Sequence, residues 1–394
     1  MIQRLSVNLL LKSVILTLSA AIVVVLSFSA WNSWQREAAV KRIASVVDVS
    51  SNFFTALHNM RVDRATTFRE LNADRLNNPL PAQLKEVREA EMPALKAGLA
   101  ALETVNFPGK DTAVATLDKA IKKLTALQQE ANAAMAQPKA SRKATLAKEY
   151  FDEVDGLIAF LDKLGSQLTT SVKLEDAYID QLLQIKQLAW VARNNAGDSS
   201  VMISNKLGGQ PLPADAMLKY AAFVAKTEGA WTALEDVASG LTLPAKFRDA
   251  AATAKREFMG SEYTELRLKT LKALIAGEPV TVNVMDWSVM SVSKLATLLK
   301  VADAALETAR DHAAAQRSAA MSSFWVATSL LIIAVLFGAG MMVLVTRRVT
   351  GPLRQIQQAM LKVAEGDFSV VLPGLDRKDE IGDVSNAVEK FKVL

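Results

Sequence analysis

Two stretches of the chain show no alternation of polar and apolar positions. Residues 13–35 carry no charged side chain, and residues 318–346 are likewise uncharged, with apolar runs at 14–30 and 324–345. About 20 such residues, rising ~1.5 Å each, cross the hydrocarbon core of a bilayer. The pattern therefore predicts two membrane-spanning helices, at 13–34 and 323–346, after an N-terminal tail of 1–12. Trp31 and Trp34 follow the first run, as amphipathic rings do at an interface. That run is too long for the apolar part of a cleaved leader and lacks a small-residue cleavage site. Arg4 and Lys12 precede the first span, and Arg347, Arg348 and Arg354 follow the second. The positive-inside rule then puts both termini in the cytoplasm. The expected location is a cell inner membrane, with the protein multi-pass and residues 35–322 in the periplasm.

Between the spans the period changes to that of amphipathic helices, interrupted at Asn77-Asn78-Pro79, Pro108-Gly109, Pro138, Gly208-Gly209, Gly240 to Pro244 and Gly277 to Pro279. The segment also repeats itself. Pro79-Leu80-Pro81-Ala82 recurs as Pro211-Leu212-Pro213-Ala214. At the same offset, Ala101-Leu102-Glu103-Thr104-Val105 corresponds to Ala233-Leu234-Glu235-Asp236-Val237, and Arg61 to Arg193. Agreement at one register points to duplication. The expectation is two four-helix up-down bundles, about 35–166 and 167–322. A chain that leaves a membrane and returns needs an even number of crossings, yet the obvious breakers give only seven helices. The eighth requires a further reversal, placed at Gly165. The competing arrangement runs 139–205 as one helix shared by two stacked bundles.

After the second span, Val349, Leu353, Ile356, Met360 and Val363 recur at heptad spacing. Pro352 stands where a helix start tolerates it. Glu365-Gly366-Asp367-Phe368 ends that helix, and Asp379-Glu380-Ile381-Gly382 opens a second heptad stretch through Val384, Val388 and Phe391. Two short heptad helices cannot bury their seams alone; a second copy would complete a parallel four-helix coiled coil. The ordered set Pro352-Leu353, Glu365-Gly366 and Asp379-Glu380 with Gly382, directly after a span, resembles the HAMP linker of chemoreceptors and sensor kinases. The end Ala387-Val388-Glu389-Lys390-Phe391-Lys392 is similar to receptors of the methyl-accepting chemotaxis type. The resemblance implies a homodimer with a HAMP-like relay at 347–394 and a long cytoplasmic output region that meets signalling partners. Because the sequence stops at Leu394 without a kinase-contacting hairpin, a phospho-acceptor His or a cyclase motif, the expectation is a piece of a larger receptor or a receptor without its own output. The alternatives are the sensor part of a histidine kinase or diguanylate cyclase, and a ligand-free membrane-anchored helical scaffold. The outer segment more loosely resembles two-module chemoreceptor sensor domains and helical nitrate/nitrite-sensing domains, which use arginines on a bundle helix.

Composition narrows the chemistry. Of 394 residues, 51% are hydrophobic but only 6% aromatic, which suits Ala/Leu-rich helices and an all-α fold. There is no cysteine, which removes disulfides and thiol chemistry. His58 and His312 are far apart and read as packed or solvated rather than as metal ligands. The net charge of +5 is modest and clusters beside the apolar runs, which suits contact with membrane lipid rather than nucleic acid. No P-loop, nucleophile elbow or dinucleotide fingerprint occurs, so no catalytic residue, cofactor or metal is expected. Arg61 and Arg64 share a helix face among Phe53, Phe54, Leu57 and Met60, and Arg193 lies beside Trp190. These guanidiniums suit a carboxylate or nitrate-like anion, with Thr66, Thr67, Asn194 or Asn195 as neutral partners. The competing reading pairs the arginines with Asp63, Glu70 or Asp198 on a solvated face. Trp231 and Trp287 read as core anchors.

Overall fold

The computed structural model describes residues 6–393; Arg4 and Leu394 lie outside them. Eleven α-helices and no strand occur among the described residues: α1 Val7–Asn72, α2 Ala82–Leu102, α3 Lys110–Met135, α4 Leu146–Ser171, α5 Ala177–Leu207, α6 Ala216–Ser239, α7 Ala245–Glu257, α8 Ser261–Ala276, α9 Val284–Val345, α10 Gly351–Ala364 and α11 Glu380–Val393. The chain divides into two compact units, Ala39–Arg317 and the remainder on either side of it.

The Ala39–Arg317 unit holds both repeats. The outer part of α1 packs with α2, α3 and α4; α5, α6, α7 with α8, and the first part of α9 form the second bundle. A large apolar core runs through both, from Ile43, Val46 and Phe53 on α1 to Leu298, Ala302 and Leu306 on α9, and a smaller one of Ile203, Tyr220, Leu271, Leu274 and Trp287 lies within the second bundle. The bundles stand side by side, not stacked. Helix α1 lies against α5 where Phe54 meets Trp190 edge-on at 5.4 Å between centroids. It also reaches α9 where Arg310 donates to Asp48 at 2.8 Å.

The reversal between the repeats falls at residues 172–176, beyond the expected break. Gly165 is buried inside α4, between Leu164 and Leu168, which have almost no exposed surface. A helical glycine costs only about 1 kcal/mol, which flanking apolar burial offsets. The stop is set instead by Leu174, held at φ 72°, and by Asp176, whose carboxylate accepts from the Ile179 amide at 2.9 Å and caps α5. Arg42 pairs with Glu175 and His312 with Asp176, tying the turn to α1 and α9. At the far end, Arg142 donates to the carbonyls of Glu70, Leu71, Ala73 and Arg75, which are orphaned at the end of α1. The second repeat departs from the first in its third helix, which is interrupted at residues 258–260 between α7 and α8.

The other unit contains the apolar parts of α1 and α9 and the relay. Both helices are long and apolar enough to cross a membrane, and their most apolar windows are unburied within the protein. Gly338 lets the two approach: a β-carbon there would come within 2.8 Å of the Ser19 hydroxyl. Small residues at such crossings permit close backbone packing in lipid. The helix widens into a single π-turn at Thr346–Thr350 before α10.

Candidate functional site

The seam between α1 and α5 gathers an arginine cluster. Arg61 and Arg193 approach the same indole, with guanidinium carbons 5.4 and 5.9 Å from the Trp190 ring centre. Arg64 stacks on Phe151 at 4.6 Å and pairs with Asp155 of α4. Arg61 faces Asp198 at 3.7 Å. Arg193 is only 6% exposed, and the Nε atoms of Arg61, Arg64 and Arg193 are all buried without a hydrogen-bond partner, as is the Asn194 side-chain oxygen. Burial, and then the like charge of Arg61, push the Arg193 pKa down; burial and then Arg193 lower His58 to about 4. His58 is therefore neutral at physiological pH. Desolvation also pushes Asp198 up against the pull of the arginines. Three guanidiniums thus face Asp155, Asp198 and, through its field on Arg61, Asp162, and of the three Arg193 has no direct carboxylate partner among the described residues. Guanidiniums keep their protons, so titration does not relieve this pressure.

The sequence candidates fall into two groups. Arg61, Arg64 and Arg193 converge, while no contact ties Asn194 to them among the described residues. Thr67 does not join them: it donates to Asp63 at 2.7 Å and accepts from Arg88 at 2.8 Å in a separate buried network. Asp63 pairs with Arg88, and Glu70 with Arg75, so neither neutralises Arg61 or Arg64 as the competing reading had it. Of the three acids in that reading, only Asp198 meets Arg61, and its side chain is 47% exposed, so this one pair keeps the solvated character that reading gave it. Arg88 escaped notice because no local spacing links it to Asp63. Trp287 is a core anchor, fully buried and donating to the Ser200 carbonyl at 3.2 Å. Trp231 is 5% exposed but lines a cavity as well as packing in the core.

The relay residues occupy structural posts. Pro352 stands in the first turn of α10, and Glu365 ends it before Gly366 at φ 93°. Asp379 accepts from the Gly382 amide at 3.2 Å and is bound by Arg377, holding its pKa at about 2. Arg377 also donates to the Arg348 carbonyl at 2.9 Å, fastening the start of α11 to the end of the π-turn. At Gly382 a β-carbon would lie 2.1 Å from the Arg377 carbonyl oxygen, so only glycine fits this approach. Ile356 and Ala359 of α10 bury against Leu372 and Val388. Other members of the heptad seam are open in the single chain: Met360 is 50% exposed and Phe391 81%.

This double-heptad module is a HAMP domain: residues 344–392 match that family. The probable chemoreceptor y4sI of Sinorhizobium fredii is 38% identical over 66 residues, a stretch covering 17% of this chain and 8% of that protein's length. The solved structure of the NasR transcription antiterminator aligns with 94% of this chain and 99% of its own at a TM-score of 0.54 and 13% identity, a likeness of fold. The chain thus joins a HAMP domain, in a region similar to a chemoreceptor, to two helices long and apolar enough to cross a membrane.

Proposed function

We propose that the chain senses a small monoanion, nitrate-like or a simple carboxylate, at the arginine cluster between the two bundles. One observation carries this reading. Arg193 is buried with an unpartnered Nε, beside Arg61 and Arg64, and no carboxylate pairs with it directly among the described residues. Bidentate guanidinium contacts suit a planar anion. The fit is supported by the position of the cluster, because an anion held by α1 and α5 together pulls one bundle against the other. Helices α1 and α9 are the covalent path from this unit to the spans, and α9 is unbroken from Val284 to Val345. An anion that binds one arrangement of the bundles better than another shifts the population of the relay's packings.

In this reading the sensing unit is periplasmic, both termini are cytoplasmic and the membrane is the inner one. The exposed heptad seam is covered by a second copy in a parallel homodimer. Output of the methyl-accepting chemotaxis type passes through cytoplasmic partners beyond the HAMP domain, and the chain acts as a receptor, not as an enzyme.

The test is calorimetric titration of the full chain in lipid nanodiscs with nitrate, formate and acetate against a sulfate control. At least one monoanion should bind, and Arg61→Met and Arg193→Met should each weaken it tenfold or more, as expected for loss of a charged hydrogen-bond pair. Absence of binding, or equal affinity in both variants, overturns the proposal.

A further inference from the structure

The interruption between α7 and α8 opens a cavity with mixed polar and apolar walls, built from other helices than the arginine seam. It measures about 160 Å³ and is lined by Thr227 and Trp231 of α6, Phe258 and Met259 of the interruption, and Thr264 and Arg267 of α8. Arg267 is 4% exposed and lies between two rings, 4.5 Å from Phe258 and 4.9 Å from Tyr263. Its one side-chain hydrogen bond is to the Thr264 hydroxyl at 3.1 Å, and no carboxylate pairs with it among the described residues. Its Nε, the Trp231 indole N–H and the hydroxyls of Tyr220 and Tyr263 are all buried without a partner. A buried cation is ordinarily paired, and each unsatisfied buried polar group costs about 1–3 kcal/mol. Four in one neighbourhood, beside an open cavity, mark a place where a ligand supplies the missing acceptors.

The duplication supplies an independent comparison. At the repeat's offset, Thr227 and Trp231 correspond to Leu95 and Leu99 of α2. Leu95 is completely buried and Leu99 packs against the same core. The fold therefore does not require polar groups here, and the first bundle fills the space with leucine.

We propose that this cavity is a second binding site, for a small organic monocarboxylate of about benzoate size whose carboxylate engages Arg267. The size follows from the volume, since an apolar cavity of about 150 Å³ accepts one benzene ring. Trp231, Phe258, Val224 and Met259 offer apolar walls, and Thr264 and the indole N–H add neutral donors to the carboxylate. Glu228 and Lys255 also line the cavity; both are exposed, and Lys255 is paired with Glu235 at 2.8 Å, so Arg267 is the cation left for the ligand.

Calorimetric titration of the full chain in nanodiscs with benzoate, and with benzamide as its neutral isostere, tests this. Benzoate should bind and benzamide should bind at least tenfold more weakly. Arg267→Met should abolish the preference for benzoate. Thr227→Leu, which installs the residue found in the first bundle, should fill the cavity and block both ligands while the helical circular dichroism is unchanged. Arg193→Met should leave benzoate affinity intact, separating this site from the seam. No benzoate binding by the wild type, or affinity indifferent to both Arg267→Met and Thr227→Leu, overturns the proposal.

Discussion

Replacing Arg88 by methionine should cost the sensing unit more stability than loss of an ordinary ion pair. Asp63 has no exposed surface, and Arg88 is 9% exposed. Arg88 donates to Asp63 at 3.1 Å, to Thr67 at 2.8 Å and to Asn132, so one guanidinium ties α1, α2 and α3 together. Tyr150 brings in α4 through its own hydrogen bond to Asp63. Methionine fills most of the arginine's volume, so the change removes charge and hydrogen bonds and leaves little cavity. What remains is a carboxylate sealed from water with only neutral donors. Removing one partner of a buried pair costs about 3–5 kcal/mol. At roughly 2–4 °C per kcal/mol for domains of this size, the unfolding midpoint should fall by about 6–20 °C. Tryptophan fluorescence on heating the full chain in nanodiscs reads this directly, since Trp190, Trp231 and Trp287 are all buried in the unit. The double variant Asp63→Asn with Arg88→Met removes the stranded charge and should recover more than half of the loss. A single variant within about 1 kcal/mol of wild type, or a double variant no more stable than the single, would refute the assignment of this network as a charge-neutral pillar.

Two further outcomes follow from neighbouring features. Glu91 has no exposed surface, one carboxyl oxygen without a partner, and a pKa raised by burial and then by Asp63. A carboxyl whose folded pKa is raised takes up protons on folding, so its contribution to stability falls as pH climbs above the ordinary glutamate range. Glu91→Gln should therefore stabilise the protein at neutral pH, with the gain shrinking to nothing near pH 4; a gain independent of pH would contradict the shift. The absence of cysteine makes Phe391→Cys a clean probe of the relay. In a parallel dimer this exposed seam position meets its own copy, and mild oxidation of membranes should give a covalent dimer, as should Met360→Cys; monomer alone from both variants would exclude the parallel pairing.

The spans and the relay were readable in the sequence because each rests on a local count. An uncharged run long enough to cross a bilayer needs no knowledge of the rest of the chain, and neither does heptad spacing flanked by Pro352, Gly366 and Gly382. The turn between repeats was misplaced because Gly165 is a breaker only when its surroundings fail to bury it, whereas Leu164 and Leu168 do so. Asp176, an N-cap three residues before Ile179, was the better signal. Local rules also assigned Asp63 and Glu70 to the nearby arginines, while tertiary packing gave Asp63 to Arg88, 25 positions away. Helical spacing constrains which residues share a face; it cannot say which helix that face meets.

The meeting of Arg61 with Arg193 belongs to the same class of information, yet the duplication came close to supplying it. Matching residues of two repeats occupy matching heights when the repeats stand side by side, so a residue on the seam of one bundle tends to face its counterpart on the other. Here both guanidiniums reach the Trp190 ring. Duplication therefore placed like charges together at a shared surface, an arrangement that stability alone disfavours. Away from the seam the copies are free to diverge, and they do: the first bundle fills its interior with Leu95 and Leu99 and balances Asp63 against Arg88, while the second breaks its third helix and leaves Arg267 without an acid. The repeated scaffold explains the fold. The two places where a buried guanidinium lacks a carboxylate partner, one created by the symmetry and one by its loss, are where both proposed ligand sites fall.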